Sequence, residues 1–237
     1  MIRGLGWVAL AGFGVGAACL SLAFAIGGPE LDDLRLDLPL GASCEGGGPA
    51  SSGPRERQLA WDDGDSLELS LPGTIHFRGG QGNDVTVRGP GDLVDHVEIK
   101  HGRIALHCRS RGRTRDLDVT LPGRAFRSIR IAGSGKLVME NVDQPELALR
   151  ISGSGSMRAQ GSVDRLTVNV SGSGDARLGE LAARQATVHI SGSGKVEASP
   201  KESADVTISG SGDVRLLTRP AELRSKISGS GRITSVP

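Results

Sequence analysis

The chain has 237 residues with 28 Lys and Arg against 27 Asp and Glu, so no global field draws it towards nucleic acid. It carries 36 glycines, no tyrosine, two Trp and four Phe, which excludes an aromatic-rich core. Val, Ile, Leu and Ala must build it instead, as suits thin β-layers, and the length allows one or two domains.

At the N-terminus, Arg3 precedes an uncharged run from Gly4 to Pro29 that ends at Glu30, Asp32 and Asp33. A cation before the run and acids after it place the bulk of the chain across the cytoplasmic membrane, in the periplasm or at the cell surface. Two readings of residues 1–28 stand. Ala23-Phe24-Ala25 offers the cleavage site of a signal peptide. The run also exceeds the roughly 7–15 residues of a signal core and is long enough for a transmembrane helix. A lipoprotein signal at Cys19 is disfavoured, because Gly16-Ala17-Ala18 lacks a large aliphatic residue. Residues 29–56 contain Gly46-Gly47-Gly48-Pro49 and Ser51-Ser52-Gly53-Pro54 and read as a flexible tether. It carries Cys44, whereas Cys108 lies in the folded part. In an exported protein the two could pair; the intervening tether argues against it, and the question stays open.

From 57 to 127 the pattern is β throughout. Apolar alternation marks Leu67-Leu69-Leu71, Val85-Val87, Val97-Ile99, Ile104-Leu106 and Leu117-Val119-Leu121. Turn signals divide these runs at Pro72-Gly73, Gly89-Pro90-Gly91, His101-Gly102 and Pro122-Gly123. The expectation is a small antiparallel β-domain that caps the first coil of a repeat beginning near residue 128. Degenerate coils of the same repeat are the open alternative.

Residues 128–237 are organised by a phrase, Ile/Val-Ser-Gly-Ser-Gly, starting at Ile151, Val170, Ile190, Ile208 and Ile227, with an Ala132 variant from Ile131. Its first glycines are Gly133, Gly153, Gly172, Gly192, Gly210 and Gly229, so the steps are 20, 19, 20, 18 and 19 residues. Such a period marks a stacked solenoid. Apolar residues alternate before each corner (Leu147-Leu149-Ile151) and after it (Met157-Ala159). Each unit is thus strand, corner, strand and variable return. The glycines, including the second set Gly135, Gly155, Gly174, Gly194, Gly212 and Gly231, are expected to supply positive φ at the corners. At about 3.3 Å per residue a unit has a contour near 60 Å, enough for one turn of a narrow β-helix. The fold expected is all-β: a β-solenoid of about six coils, preceded by the small β-domain and an N-terminal hydrophobic helix. A meander of antiparallel hairpins fits less well, because the returns are longer than hairpin loops.

With these residues laid out, the chain resembles the putative autotransporter-adhesin head family, the GIN domain. The resemblance rests on the iterated Ser-Gly-Ser-Gly units, the Trp61-to-Leu71 region and the exported N-terminus, and covers most of 57–237. It implies an envelope-associated all-β protein with no established catalytic residues.

Motifs that suggest chemistry have structural readings. Gly133-Ser134-Gly135-Lys136 and Gly192-Ser193-Gly194-Lys195 lack the longer loop and helix start of a phosphate cradle. Asp175 and Asp213 follow Gly-Ser-Gly, but the equivalent positions elsewhere are Lys136, Ser156, Lys195 and Arg232, a mixture that cannot form a row of calcium cages. Six equivalent corner serines argue for a hydrogen-bonded ladder, not for nucleophiles. His76, His96, His101 and His107, with Cys108, match no zinc spacing. No metal and no cofactor is expected.

The outward positions carry the functional expectation. Arg130, Arg150, Asn169, His189, Thr207 and Lys226 precede the corners at one offset; Arg158, Arg177, Glu197 and Arg215 follow them at another. Arg130, Arg150, Arg158, Arg177, Arg215 and Lys226 would form a basic stripe for anionic glycans or lipid head groups. The alternative is a solvated face whose charges block stray strand pairing. The function expected is a non-enzymatic, exported structural, adhesion or binding module, with self-association through the C-terminal coil as a further expectation. A carbohydrate-active β-helix enzyme is the alternative. It requires paired acid and base carboxylates, and Asp164, Glu180 and Glu197 fall in different registers.

Overall fold

The computed structural model describes residues 54–61, 64–78, 84–107, 117–121, 123 and 125–236. The hydrophobic segment 1–28, nearly all of the expected tether, Cys44 and Cys108 lie outside them. Among the described residues no helix is long and apolar enough to cross a membrane. The last residues of the expected tether are in a strand, because β1 already begins at Pro54.

In chain order the strands are β1 (Pro54–Ala60), β2 (Ser66–Ser70), β3 (Thr74–Arg78) and β4 (Asp84–Pro90), then a single helical turn α1 (Gly91–Val94). They continue with β5 (Val97–Lys100), β6 (Arg103–Leu106), β7 (Asp118–Leu121) and β8 (Ser128–Gly133). The repeat comes next as β9 (Lys136–Gly153), β10 (Ser156–Gly172), β11 (Asp175–Gly192) and β12 (Lys195–Gly210). The last coil holds β13 (Asp213–Leu216), β14 (Glu222–Gly229) and β15 (Arg232–Ser235).

Strands β9 to β12 are 16 to 18 residues long because each runs round a whole coil. Every pairing from β8 to β15 is parallel, as stacked coils require and hairpins forbid. The corners align in one column, Gly133 on Gly153, then Gly172, Gly192, Gly210 and Gly229. Irregularity is confined to the return, where register shifts fall between Arg158 and Gln160 and between Leu178 and Ala182. That is where the sequences differ in length.

Residues 57–127 carry the antiparallel pairs β1 with β4, β4 with β7 and β5 with β6. They also join the stack: β2 lies parallel between β6 and β8, and β3 parallel between β7 and β9. Leu71 to Gly73 is the corner between β2 and β3, and the Lys136 N–H donates to the Gly73 carbonyl at 2.9 Å. One continuous core runs from Trp61 to Leu216. Its inward rows are the alternating positions of the sequence: Leu67-Leu69, Ile129-Ile131, Leu149-Ile151, Val168-Val170, Val188-Ile190 and Val206-Ile208 before the corner, all buried. Each such side chain contributes about 1.5–3 kcal/mol on burial. Trp61, Phe77 and Phe126 meet beneath the first coil, with ring centroids 5.3 and 5.6 Å apart and edge-to-face. Three aromatics scattered over 66 positions thus form one plug.

Candidate functional site

Each corner is shaped by two glycines, of which only the first has a left-handed backbone. The coil below crowds the second in every copy and the first in all but Gly133. The first has φ between 99° and 126° in all six copies, backbone that costs an L-residue about 1–2 kcal/mol. The second does not: positive φ is absent from Gly135, Gly155, Gly174, Gly194, Gly212 and Gly231. That part of the expectation is corrected. These glycines are required because the coil below comes too close. A Cβ on Gly174 would sit 2.5 Å from Ile151 Cγ2 and 2.8 Å from the Gly155 carbonyl oxygen. The corner serines do form a hydrogen-bonded ladder, and it runs main chain to main chain. The N–H groups of Ser154, Ser173, Ser193, Ser211 and Ser230 donate to the carbonyls of Gly133, Gly153, Gly172, Gly192 and Gly210 at 2.9–3.0 Å. The ridge is therefore low and bare, with Gly153 and Ser154 exposed on its crest.

On either side of the ridge the outward residues stack as columns. Before the corner the register runs Arg103, Glu68, Arg130, Arg150, Asn169, His189, Thr207, Lys226. After it the column is Val138, Arg158, Arg177, Glu197, Arg215, Thr234. A third column, Lys136, Ser156, Asp175, Lys195, Asp213, Arg232, stands beside the second. It sets each aspartate between neighbours of other charge, not in a row of carboxylates.

Ion pairing separates the cations into two groups. Arg55, Arg78, Arg88, Arg103, Arg127, Arg165, Arg184 and Arg224 each lie against a carboxylate. For Arg88 and Arg184 the hydrogen bonds to Glu56 and Glu202 raise the guanidinium pKa. The six stripe residues Arg130, Arg150, Arg158, Arg177, Arg215 and Lys226 are exposed and have no ion-pair partner among the described residues. Little in the sequence marks that division, since apart from Glu222, two residues from Arg224, these carboxylate partners come from other strands or turns.

The histidines do not gather at one point. His76 lies 3.4 Å from Asp118, while His107 contacts Glu98. His101 occupies the β5–β6 turn with φ 49°. Among the described residues no group of three His, Cys, Asp or Glu could hold a metal ion. The carboxylates of the enzyme alternative are dispersed: Asp164 lies 3.8 Å from Arg184 in the return, Glu180 opposes Gln160, and Glu197 belongs to the column after the corner.

Comparison with known proteins agrees with this architecture. Residues 65–220 match the family model described as putative auto-transporter adhesin, head GIN domain. A crystal structure of a putative adhesin from Bacteroides fragilis superposes with a TM-score of 0.64 at 16% identity, covering 79% of this chain and 99% of that one. A putative adhesin from Parabacteroides merdae gives 0.49 at 12% identity, over 79% and 98%. A putative lipid binding protein from Parabacteroides distasonis gives 0.46 at 19% identity, again over 79% and 98%. No curated protein sequence matches significantly.

Proposed function

This chain belongs to the putative auto-transporter adhesin, head GIN domain family, and from that premise we propose that it is an exported, non-enzymatic binding module of the cell envelope. The rigid stack holds outward side chains at fixed spacing, and the two faces flanking the ridge carry the stripe that meets an anionic envelope polymer. One observation carries the reading: among the described residues the cations without ion-pair partners include all six of the stripe. Exposed cations left unneutralised attract polyanions over about a Debye length. Residues 1–28 serve export, either as a removed signal or as an anchor. Envelope fractionation with mass spectrometry of the mature N-terminus distinguishes the two.

The test of binding is titration of the protein with anionic envelope polymers at rising salt. The expected result is saturable binding that weakens steeply between about 50 and 200 mM salt, as counterion release requires. Absence of binding to every such polymer at the lowest salt would sink the reading.

A further inference from the structure

The stripe is not uniform along the stack, and its pattern of interruption identifies a site. After the corner, Val138 lies below Arg158, and Glu197 separates Arg177 from Arg215. Before the corner, three uncharged or weakly basic residues, Asn169, His189 and Thr207, separate Arg150 from Lys226. What remains contiguous is a quartet. Arg130 is stacked on Arg150 on one face, and Arg158 on Arg177 on the other. Arg150, near the end of β9, and Arg158, near the start of β10, flank the same bare Ser152-Gly153-Ser154-Gly155 crest. Four exposed guanidinium groups thus occupy three successive coils, about 10 Å of the stack at the ordinary strand spacing. The acidic groups bordering them are Glu68, Asp175, Glu180 and Glu197. Glu68 already holds Arg103 at 3.5 Å.

We infer that this quartet is the binding site proper, and that it takes a linear polymer bearing sulfate or phosphate monoester groups, lying across the ridge. The inference rests on the proposed binding of an anionic ligand and narrows it. Two guanidinium groups stacked on neighbouring strands repel each other until an anion bridges them. One carboxylate has two oxygens and is satisfied by a single guanidinium fork. A tetrahedral ester offers three terminal oxygens, so it engages both members of a stacked pair. With one pair on each side of the crest, two ester groups on one chain are needed, and the small residues between them let the polymer backbone pass. A membrane fits less well. The ridge is convex, and the exposed large apolar side chains among the described residues, Leu223 and Ile227, lie on the last coil, away from the quartet.

The test uses the full chain with four probes of matched charge: a sulfated polysaccharide, a phosphomonoester-bearing polysaccharide, a polysaccharide charged by uronates alone, and anionic phospholipid vesicles. Variants Arg130→Ser with Arg150→Ser, Arg158→Ser with Arg177→Ser, and the distal Arg215→Ser with Lys226→Ser are compared after their melting temperatures are matched. The expected outcome is that at least one of the two ester polymers binds about ten-fold or more tighter than the uronate polymer, and which one it is tells sulfate from phosphate. Each quartet variant should lose about ten-fold or more and flatten the salt slope by about two, and the distal variant, at the far end of the stripe, should lose several-fold less than either. If the distal variant loses as much, the whole stripe binds and the quartet is wrong, although the anionic-ligand reading survives. Equal binding of the uronate polymer overturns the ligand class, and binding of vesicles alone overturns the polymer. No binding by any probe overturns both inferences together.

Discussion

A glycine in this molecule is constrained by its backbone, by the coil beneath it, or by both, and the first coil separates these causes. Gly133 has φ 99° but nothing within 4 Å of where a Cβ would stand. Gly192 has φ 126° and would place a Cβ 2.4 Å from the Gly172 carbonyl oxygen. Gly133→Ala should therefore cost only the left-handed penalty, about 1–2 kcal/mol. Gly192→Ala should cost clearly more, since a carbonyl of the ladder must move. Urea unfolding of the two variants measures the difference, and equal midpoints would show that the close approach is not felt. The period and the inward rows were legible because a repeat writes the same alternation many times. Which glycines are crowded was not, because that depends on how closely the coil below approaches. The unpaired state of Arg150 and Arg158 was hidden for the same reason: their potential partners are set by register, not by sequence neighbourhood.

Among the elements, the β5–β6 hairpin shows where alternation stops being informative. Val97-Ile99 and Ile104-Leu106 announce two strands, and His101-Gly102 a turn. Neither reveals that β6 also lies parallel to β2, because a parallel partner leaves no turn signature in the intervening sequence. The hairpin's outer face carries an electrostatic contact with a testable sign. Lys100 hydrogen-bonds to Glu98 and lowers its carboxyl pKa from 4.5, aided by the charge of His107 and opposed by desolvation. A carboxylate whose pKa is lower in the folded state stabilises above its unfolded value, and that contribution disappears as pH falls through the folded value. The native protein should therefore lose stability relative to Glu98→Gln as pH falls below about 4.5, and the two melting curves should converge at the acid end. A constant difference from pH 7 to pH 3 would rule out this contact as the cause. The effect is small, since both partners are solvated.

For the molecule as a whole, stability is a sum of coils and the interfaces between them, so it should be graded along the stack. The two ends are unlike. At the N-terminal end, Trp61, Phe77 and Phe126 plug the core beneath the first coil, and β4 and β7 lie alongside. In the last coil every residue of β14 is exposed, including Leu223 and Ile227, which continue the inward rows of Ala204 and Ile208. Coils β10 and β11 are paired on both sides, whereas among the described residues β14 pairs only with β12 and β15 only with β13. Native-state hydrogen exchange should accordingly find the Ser173 and Ser193 amides, which donate to Gly153 and Gly172, among the slowest. The Ser230 amide has the same 2.9 Å bond, to Gly210, yet it should exchange well before them, because opening the last coil disrupts one interface instead of two. Phe126→Ala supplies the complementary measurement. Emptying that fully buried site should cost about 3–5 kcal/mol and accelerate exchange in the coils resting on the plug. Uniform protection from Ser154 to Ser230 would mean that the stack opens as one unit, and a nearest-neighbour description of its stability would then fail.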